Sequence, residues 1–206
     1  MRRIKLQDSA VIDTAAGALA AGGVVVLPTD TIYGFSTELS NREGFERVVA
    51  IKRCGGGRRF VYLASSIEMV SLFIGGWGSG SEAELRSIWP ASLTVVLPSG
   101  PEVPDWVGET IALRVPKAGK LRAIIEAVGQ PILSTSVNRA GEAPRLTADS
   151  IEDDFGDEID LIVVEDAADD SVPSTIVDLT GAEPRVVRQG AYVWPAGGNP
   201  SNSRSL

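Results

Sequence analysis

Residues 24–34 of the chain read VVVLPTDTIYG, an apolar run followed by a polar turn. The first four residues are apolar and mostly β-branched, which is typical of a short strand buried on both faces of a sheet. A proline ends the run, and hydroxyl, carboxylate and phenol side chains follow at once. Ligands of α/β proteins bind beyond the carboxyl ends of such strands, so this turn is the first candidate site. As an ordinary loop, it would use Asp30 and Thr31 to cap the backbone.

Helices and strands alternate on both sides of this stretch. Ser9–Ala21 carries apolar residues on one face and ends at two glycines, which predicts a helix. Ser65 and Ser81 are each followed by a glutamate three residues later, a pattern that predicts two capped helix starts. Further helices are predicted at residues 45–51 and 121–128, and further strands at 60–64, 93–97, 111–115, 132–135, 161–164, 175–179 and 185–188. This order predicts a single α/β domain with a twisted, mixed open sheet and flanking helices.

The composition excludes several classes of chemistry. The 206 residues include no histidine and a single cysteine, Cys54. A Ser-His-Asp or Cys-His nucleophile, a His-based zinc site and an internal disulfide are therefore excluded. No stretch approaches the ~20 apolar residues that span a bilayer, so we expect a cytoplasmic protein without a membrane partner. Any catalysis must use carboxylates, hydroxyls, Lys, Arg, backbone amides or a metal-bound nucleotide.

The net charge of −8 is unevenly distributed along the chain. Residues 149–170 contain eleven acidic residues and no basic one, which is typical of a solvated face and loop. The rest of the chain has 19 basic and 16 acidic residues, and it includes a basic cluster of Lys52, Arg53, Arg58 and Arg59. The overall charge therefore does not exclude an anionic ligand.

Other predicted strands also end in side chains that suit an anion. Residues 132–138 read ILSTSVN, an apolar strand followed by hydroxyls and an amide. Such neutral donors bind phosphate or carboxylate oxygens without the cost of burying a charge. Arg114 ends another strand, and its guanidinium can bind a carboxylate through two parallel hydrogen bonds. Each group alone is as readily structural, but together with Ser174 and Arg188 they predict one anion-binding cleft.

Six short motifs lie at residues 28–34, 89–94, 114–116, 136–141, 174–178 and 187–190. Taken together, they resemble the YrdC-type family, the threonylcarbamoyl-adenylate synthases. The resemblance covers residues 9–192, and residues 133–136 and the strand segment at Phe60 also resemble the YciO-like branch. It implies a YrdC-like domain over residues 1–192, with a concave basic cavity, and a flexible tail over residues 193–206.

The resemblance implies a nucleotidyltransferase. It would convert L-threonine, bicarbonate and ATP into threonylcarbamoyl-adenylate and pyrophosphate, for N6-threonylcarbamoylation of tRNA adenosine 37. Mg²⁺ would enter with ATP, since it prefers phosphates and water to an all-protein cage, and no protein metal ligand is implied. The implied macromolecular partners are tRNA and tRNA threonylcarbamoyl-transfer proteins. Nucleotidyl transfer depends largely on positioning and charge neutralisation, which need no histidine, and no catalytic base is named.

The resemblance also assigns binding residues by position. Those implied for threonine are Thr31, Arg114, Ser134 and Ser174. Those implied for ATP are Lys52, Arg53, Arg58, Thr110, Ser136, Asn138 and Arg188.

One departure from the family pattern concerns the ATP site. The family's Lys-x-Arg stands here as Lys52-Arg53-Cys54, so the arginine comes one residue early, which turns it by about 100° around a helix axis. Either Arg53 or the pair Arg58 and Arg59 replaces the missing contact, or ATP binding is weakened. The alternative function is therefore a YrdC/YciO-like protein that binds a nucleotide, tRNA or double-stranded RNA with weak or no synthase activity.

Overall fold

The computed structural model of the protein describes residues 1–54, 60–165 and 172–195. Within these residues, ten strands form one sheet, and six helices flank it. The strands are β1 Arg2–Lys5, β2 Val25–Leu27, β3 Gly34–Glu38, β4 Val61–Leu63, β5 Leu93–Pro98, β6 Thr110–Arg114, β7 Ile132–Ser136, β8 Leu161–Val164, β9 Thr175–Asp178 and β10 Arg185–Arg188. The helices are α1 Val11–Ala20, α2 Arg42–Lys52, α3 Ile67–Leu72, α4 Glu82–Ile88, α5 Gly119–Val128 and α6 Ala148–Phe155.

The sheet is mixed, as the sequence predicts. Its strand order is β1-β8-β2-β3-β7-β4-β6-β5-β9-β10. The pairs β1–β8, β8–β2, β4–β6 and β5–β9 are parallel, and the other neighbouring pairs are antiparallel. Strands that are distant in sequence are thus neighbours in the sheet, which brings their ends and the loops that follow them together.

The core forms because the apolar strands are buried and the helices cover them with one face each. All of β2 is inaccessible to solvent, in agreement with its continuous apolar run. α1 packs against α5 and against the strands beneath it. Phe35 of β3 meets Phe155 of α6 edge to face, with ring centroids 5.2 Å apart. Among the described residues, no helix has the length and apolar content needed to cross a membrane.

Three elements are absent from the sequence prediction. β1 and β3 were not predicted as strands, and α6 lies inside the acidic segment that was interpreted only as a solvated face and loop. The start of α3 was also assigned one residue early. Ser66, not Ser65, accepts the hydrogen bond from the Met69 amide, while the Ser65 hydroxyl bonds to Glu126. The predicted cap at Ser81 is confirmed by its hydrogen bond from the Glu84 amide.

The end of the described chain also packs on the domain. Trp194, which lies in the predicted tail, packs against the hydrophobic core, and the Tyr192 carbonyl accepts a hydrogen bond from the Thr175 hydroxyl. The remainder of the predicted tail, residues 196–206, is outside the described residues.

Candidate functional site

The predicted site residues from the strands lie on one face of the sheet. Directly opposed residues of neighbouring strands share a face, so Ser134, Val61 and Ala112 lie side by side. Arg114 lies two residues beyond Ala112 in β6 and therefore points to the same side. A cavity of about 320 Å³ opens over this part of the face and extends to Arg188 in β10.

The cavity is lined mainly by hydroxyl groups, apolar side chains and two guanidinium groups. No lining residue in the described part of the chain is acidic. Six residues predicted from the sequence are brought together here, namely Thr31, Arg114, Ser134, Ser136, Ser174 and Arg188. Lys52, Arg53, Thr110 and Asn138 do not line this cavity, and Arg58 lies outside the described residues.

The turn after β2 is organised by Thr29. The Thr29 hydroxyl accepts hydrogen bonds from the amides of Thr31 and Ile32, at 3.1 Å and 3.2 Å, and donates to the Ile32 carbonyl at 2.8 Å. Thr29 thus provides the local cap that would otherwise be supplied by Asp30 or Thr31. Asp30 and Thr31 both contact Arg114, and the Thr31 hydroxyl also lies 2.9 Å from the Thr29 hydroxyl.

Arg114 is the most enclosed cation that lines the cavity. Its side chain is 5% exposed, and Nη2 lies 3.5 Å from Asp30 Oδ1. Nη1 donates a long hydrogen bond of 3.4 Å to the Thr31 hydroxyl, and Nε has no hydrogen-bond partner in the described structure. Burial lowers the pKa of Arg114, the Asp30 carboxylate opposes that shift, and Arg188 adds to it. The guanidinium is thus held in place with unused donor capacity.

Arg188 is held by the backbone that precedes β9. Its Nε and Nη2 donate to the Ser174 carbonyl at 3.1 Å and 2.9 Å, and Nη2 also approaches the Ser174 hydroxyl at 3.3 Å. That hydroxyl is 2.9 Å from the hydroxyl of Thr94 on β5. Burial lowers the pKa of Arg188. Two guanidinium groups therefore face one cavity, which favours an anionic ligand.

Lys52 organises the loop after β7 instead of facing this cavity. The Lys52 side chain is buried, and its ammonium donates to the Ser136 carbonyl at 2.7 Å, the Asn138 carbonyl at 3.1 Å and Asn138 Oδ1 at 2.9 Å. Asn138 Oδ1 also accepts from the Ser136 hydroxyl, and Nδ2 donates to the carbonyls of Arg139 and Glu142. These contacts fix the end of β7, with Ser136 at the edge of the cavity, and the loop that follows it.

The residues after Lys52 end the helix. Arg53 has a left-handed backbone with φ of 48° and its side chain is exposed. Cys54 is half-buried, and its Sγ lies 3.8 Å from the Val49 carbonyl oxygen. Neither residue lines the cavity in the described structure. The sequence prediction that Arg53 replaces the family's arginine therefore stays a prediction.

A second cavity adjoins the first on the same face of the sheet. It has a volume of about 260 Å³ and shares Phe60, Val61 and Ile176 with the first cavity. Thr110 lies here, beside Trp106, whose buried indole Nε1 has no hydrogen-bond partner among the described atoms. Thr110 is thus separated from Arg114 but lies along the same surface.

Three residues at the site were not assigned from the sequence. Thr29 shapes the turn, Asp30 pairs with Arg114, and Thr94 supports Ser174. All three lie within the motifs at residues 28–34 and 89–94, but only the contacts in the folded protein distinguish their roles.

Comparison with known proteins identifies the family. Residues 17–190 match the Sua5/YciO/YrdC family, which carries the description "Telomere recombination". The chain is 33% identical over 163 residues to the threonylcarbamoyl-AMP synthase of Marinobacter nauticus, a match that covers 77% of this chain and 86% of the relative. It is 30% identical over 187 residues to a putative threonylcarbamoyl-AMP synthase of Mycobacterium tuberculosis, with 89% and 86% covered.

Solved structures agree with this match. A variant of P. abyssi Sua5 has a TM-score of 0.85 and 26% identity, and P. abyssi Sua5 complexed with L-threonine has a TM-score of 0.82 and 26% identity. Each match covers 92% of this chain but only 60% and 56% of the respective Sua5 chain. E. coli YciO has a TM-score of 0.79 and 27% identity, with 92% and 93% covered. The chain belongs to the Sua5/YciO/YrdC family.

Proposed function

We propose that the protein is an L-threonylcarbamoyl-adenylate synthase. It joins L-threonine, bicarbonate and ATP into threonylcarbamoyl-adenylate and pyrophosphate. The proposal is supported by the curated relatives named threonylcarbamoyl-AMP synthase and by the P. abyssi Sua5 structure that holds L-threonine. The product would supply N6-threonylcarbamoylation of tRNA adenosine 37, with separate transfer proteins as partners in that later step.

The proposal depends mainly on one observation, which is the incomplete hydrogen bonding of the buried Arg114 guanidinium. In the described structure, the buried guanidinium is held only by a long hydrogen bond from Nη1 to Thr31 and by the 3.5 Å contact of Nη2 with Asp30, and such incomplete hydrogen bonding is costly unless a ligand completes it. A carboxylate is the group that matches the spacing of two guanidinium N–H donors. We therefore propose that Arg114 binds the carboxylate of threonine, with the hydroxyls of Thr31, Ser134 and Ser174 around the rest of the amino acid.

ATP is proposed to bind next to threonine along the same face. Arg188 and the Ser136 hydroxyl would contact its phosphates. Lys52 and Asn138 would contribute indirectly, because they fix the end of β7 that carries Ser136. Arg53 and Arg58 are further candidates for phosphate contacts.

The second cavity suits the adenosine part of ATP. Phe60 and Trp106 give it aromatic walls, on which a nucleobase can stack. The Thr110 hydroxyl provides a polar group at the same place. This arrangement would place the α-phosphate near the boundary between the two cavities, close to threonine.

Mg²⁺ is proposed to enter as part of the ATP complex. No group of three His, Cys, Asp or Glu residues in residues 1–54, 60–165 and 172–195 is arranged to hold a metal ion. A cavity with this lining fits a cation whose ligands are phosphate oxygens and water. When bound, Mg²⁺ would neutralise charge on the phosphates of ATP.

The proposed chemistry needs positioning more than a protein nucleophile. The amine nitrogen of threonine attacks the carbon of bicarbonate, and water leaves as the carbamate forms. A carbamate oxygen then attacks the α-phosphorus of ATP, the bond to the bridging oxygen breaks, and pyrophosphate leaves. Arg114 would orient the amino acid and Arg188 would stabilise the phosphate charge, as expected for nucleotidyl transfer.

Pyrophosphate release tests this function. The full chain is incubated with Mg²⁺-ATP, L-threonine and bicarbonate, and each component is omitted in turn. We expect release only when all three substrates are present. Release that continues without threonine or without bicarbonate contradicts the synthase assignment.

A second candidate function is RNA or nucleotide binding with weak or no synthase activity. It is favoured by Cys54 at the position of the family's arginine and by the similarity to E. coli YciO along almost the full length of both chains. Titration of labelled tRNA and double-stranded RNA at two salt concentrations tests it. Phosphate contacts require binding that weakens as salt rises. Salt-dependent RNA binding without threonine-dependent pyrophosphate release would favour this candidate over the synthase.

A further inference from the structure

Asp30 is a buried carboxylate next to the proposed threonine site. Its side chain is 8% exposed, and it lines an adjoining cavity of about 490 Å³, not the 320 Å³ cavity. Oδ2 accepts hydrogen bonds from the Ser92 hydroxyl at 3.2 Å and from the Lys117 amide at 3.3 Å. Oδ1 accepts no hydrogen bond in the described structure and lies 3.5 Å from Arg114 Nη2. One oxygen is thus anchored to two loops, and the other faces the guanidinium.

This geometry holds Arg114 without using up its donors. At 3.5 Å the two charges attract each other, but no hydrogen bond joins Asp30 to Nη2. In the described structure, Nη1 makes only one long hydrogen bond, to Thr31 at 3.4 Å, so the guanidinium keeps N–H donors for a ligand. A carboxylate that took a hydrogen bond from each available donor of Arg114 would compete with the substrate, and Asp30 does not do so.

The pair also determines the charge that a ligand meets. Arg114 and Arg188 face the cavity, and Asp30, the charged partner of Arg114, is not part of its lining. The surface that lines the cavity therefore stays positive, although Asp30 compensates the charge of the buried Arg114. That arrangement favours a carboxylate-bearing ligand over its neutral analogue of the same shape.

We propose that Asp30 is a positioning residue for the amino-acid substrate: it holds the Arg114 guanidinium with its available donors towards the cavity, and so sets the preference of the site for a ligand with a carboxylate. This inference rests on the proposed function. The competing interpretation is that Asp30 only ties the turn after β2 to Ser92 and Lys117.

The test compares L-threonine with L-threoninamide, which has an uncharged amide in place of the carboxylate. Binding of each is measured by isothermal titration calorimetry to the full chain and to its Asp30→Asn variant. The variant loses the charge and can place an NH₂ group against the donors of Arg114. We expect L-threonine to bind about tenfold more weakly, as is typical of coupling between contacting residues, and L-threoninamide to bind as before. Asp105→Asn, the same change at an exposed position, should alter neither affinity.

Each other outcome overturns the inference. An equal loss for both ligands means that Asp30 only shapes the turn, and unchanged or tighter threonine binding means that it does not position Arg114. If Asp30→Asn does not fold, Asp30→Glu is used, because its longer side chain keeps the charge and displaces it from Nη2. The same selective loss for L-threonine is then required. If the unmodified chain binds neither ligand, the proposed function fails and the inference fails with it.

Discussion

Arg114 and Asp30 are both buried, and each compensates the charge of the other. Their side chains are 5% and 8% exposed, so neither is well screened by water. A buried ion pair contributes little net stability compared with apolar residues, but removal of one partner leaves an uncompensated charge. The pair therefore links the stability of the turn after β2 to the electrostatics of the site.

We predict that Arg114→Met lowers the free energy of unfolding by about 3 kcal/mol, because it leaves Asp30 without its cation. The double variant with Asp30→Asn should recover most of that stability, since both charges are then gone. Threonine-dependent pyrophosphate release should fall by about a hundredfold in both variants.

Urea unfolding and the pyrophosphate assay check this prediction together. Recovery of turnover in the double variant would show that Arg114 does not contact threonine. A single variant as stable as the unmodified chain would show that Asp30 is compensated by another group.

The contacts of Lys52 could not be predicted from the sequence. The sequence motifs assign Lys52, Ser136 and Asn138 to the ATP site, but they do not show that the lysine donates to the other two residues. That outcome depends on the antiparallel pairing that places the end of β7 where α2 ends. Arg114 could be predicted more directly, because it ends a strand whose apolar pattern is clear.

The contact between α2 and the loop after β7 is the main link between elements at the site. Lys52 lies in the last turn of α2, and its ammonium meets three oxygens of residues 136–138. The Ala140 amide also donates a hydrogen bond to the Lys52 carbonyl, at 2.8 Å. The loop is thus attached to the helix through both the side chain and the backbone of one residue.

We predict that Lys52→Met destabilises the protein by about 1–3 kcal/mol, because buried oxygens lose their donor. The Michaelis constant for ATP should rise more than that for threonine, since Lys52 fixes the end of β7 that carries Ser136 and does not contact Arg114. Thermal unfolding and steady-state kinetics measure these effects. Lys5→Met, at an exposed position that lines neither cavity, is the matched control. Equal effects on both Michaelis constants would contradict a role through this end of β7.

The elements that the sequence missed share a physical explanation. β3 reads GFSTE, which has little apolar alternation, and it becomes a strand because β2 and β7 pair with it on both sides. β1 reads RRIK and depends on its parallel partner β8. α6 could have been predicted, since Thr147 caps its start and Ile151 and Phe155 form its buried face. It was missed because its many acidic residues are also typical of a solvated loop.

At the scale of the whole molecule, two adjoining cavities lie on one face of a continuous sheet. Residues at successive positions of β6 contribute to both, with Thr110 in the second cavity and Arg114 in the first. A ligand that extends along β6 would contact both regions. Under the proposed function, an amino acid and a nucleotide would lie side by side along this continuous face.

We predict that Trp106→Ala weakens ATP binding by about tenfold, which is typical of the loss of one base-stacking contact. Threonine binding should stay within about twofold, because Trp106 does not line the first cavity. Calorimetric titration with each ligand gives both values. Trp194→Ala removes another tryptophan that lines neither cavity and serves as the control. Weaker threonine binding with unchanged ATP binding would reverse the assignment of the two cavities.

The strand order has a consequence for the synthesis of the protein. The site needs the turn after β2, the end of β6, the loop after β7 and, last of all, Arg188 of β10. Contacts between residues so distant in sequence form late and slowly in folding. β2 and β3 gain their partners β8 and β7 only when residues 132–164 have been synthesised, so this part of the sheet can form shortly before Arg188 is available. The site is complete only once β10 has been synthesised, so a chain truncated before residue 185 would lack Arg188 and remain inactive.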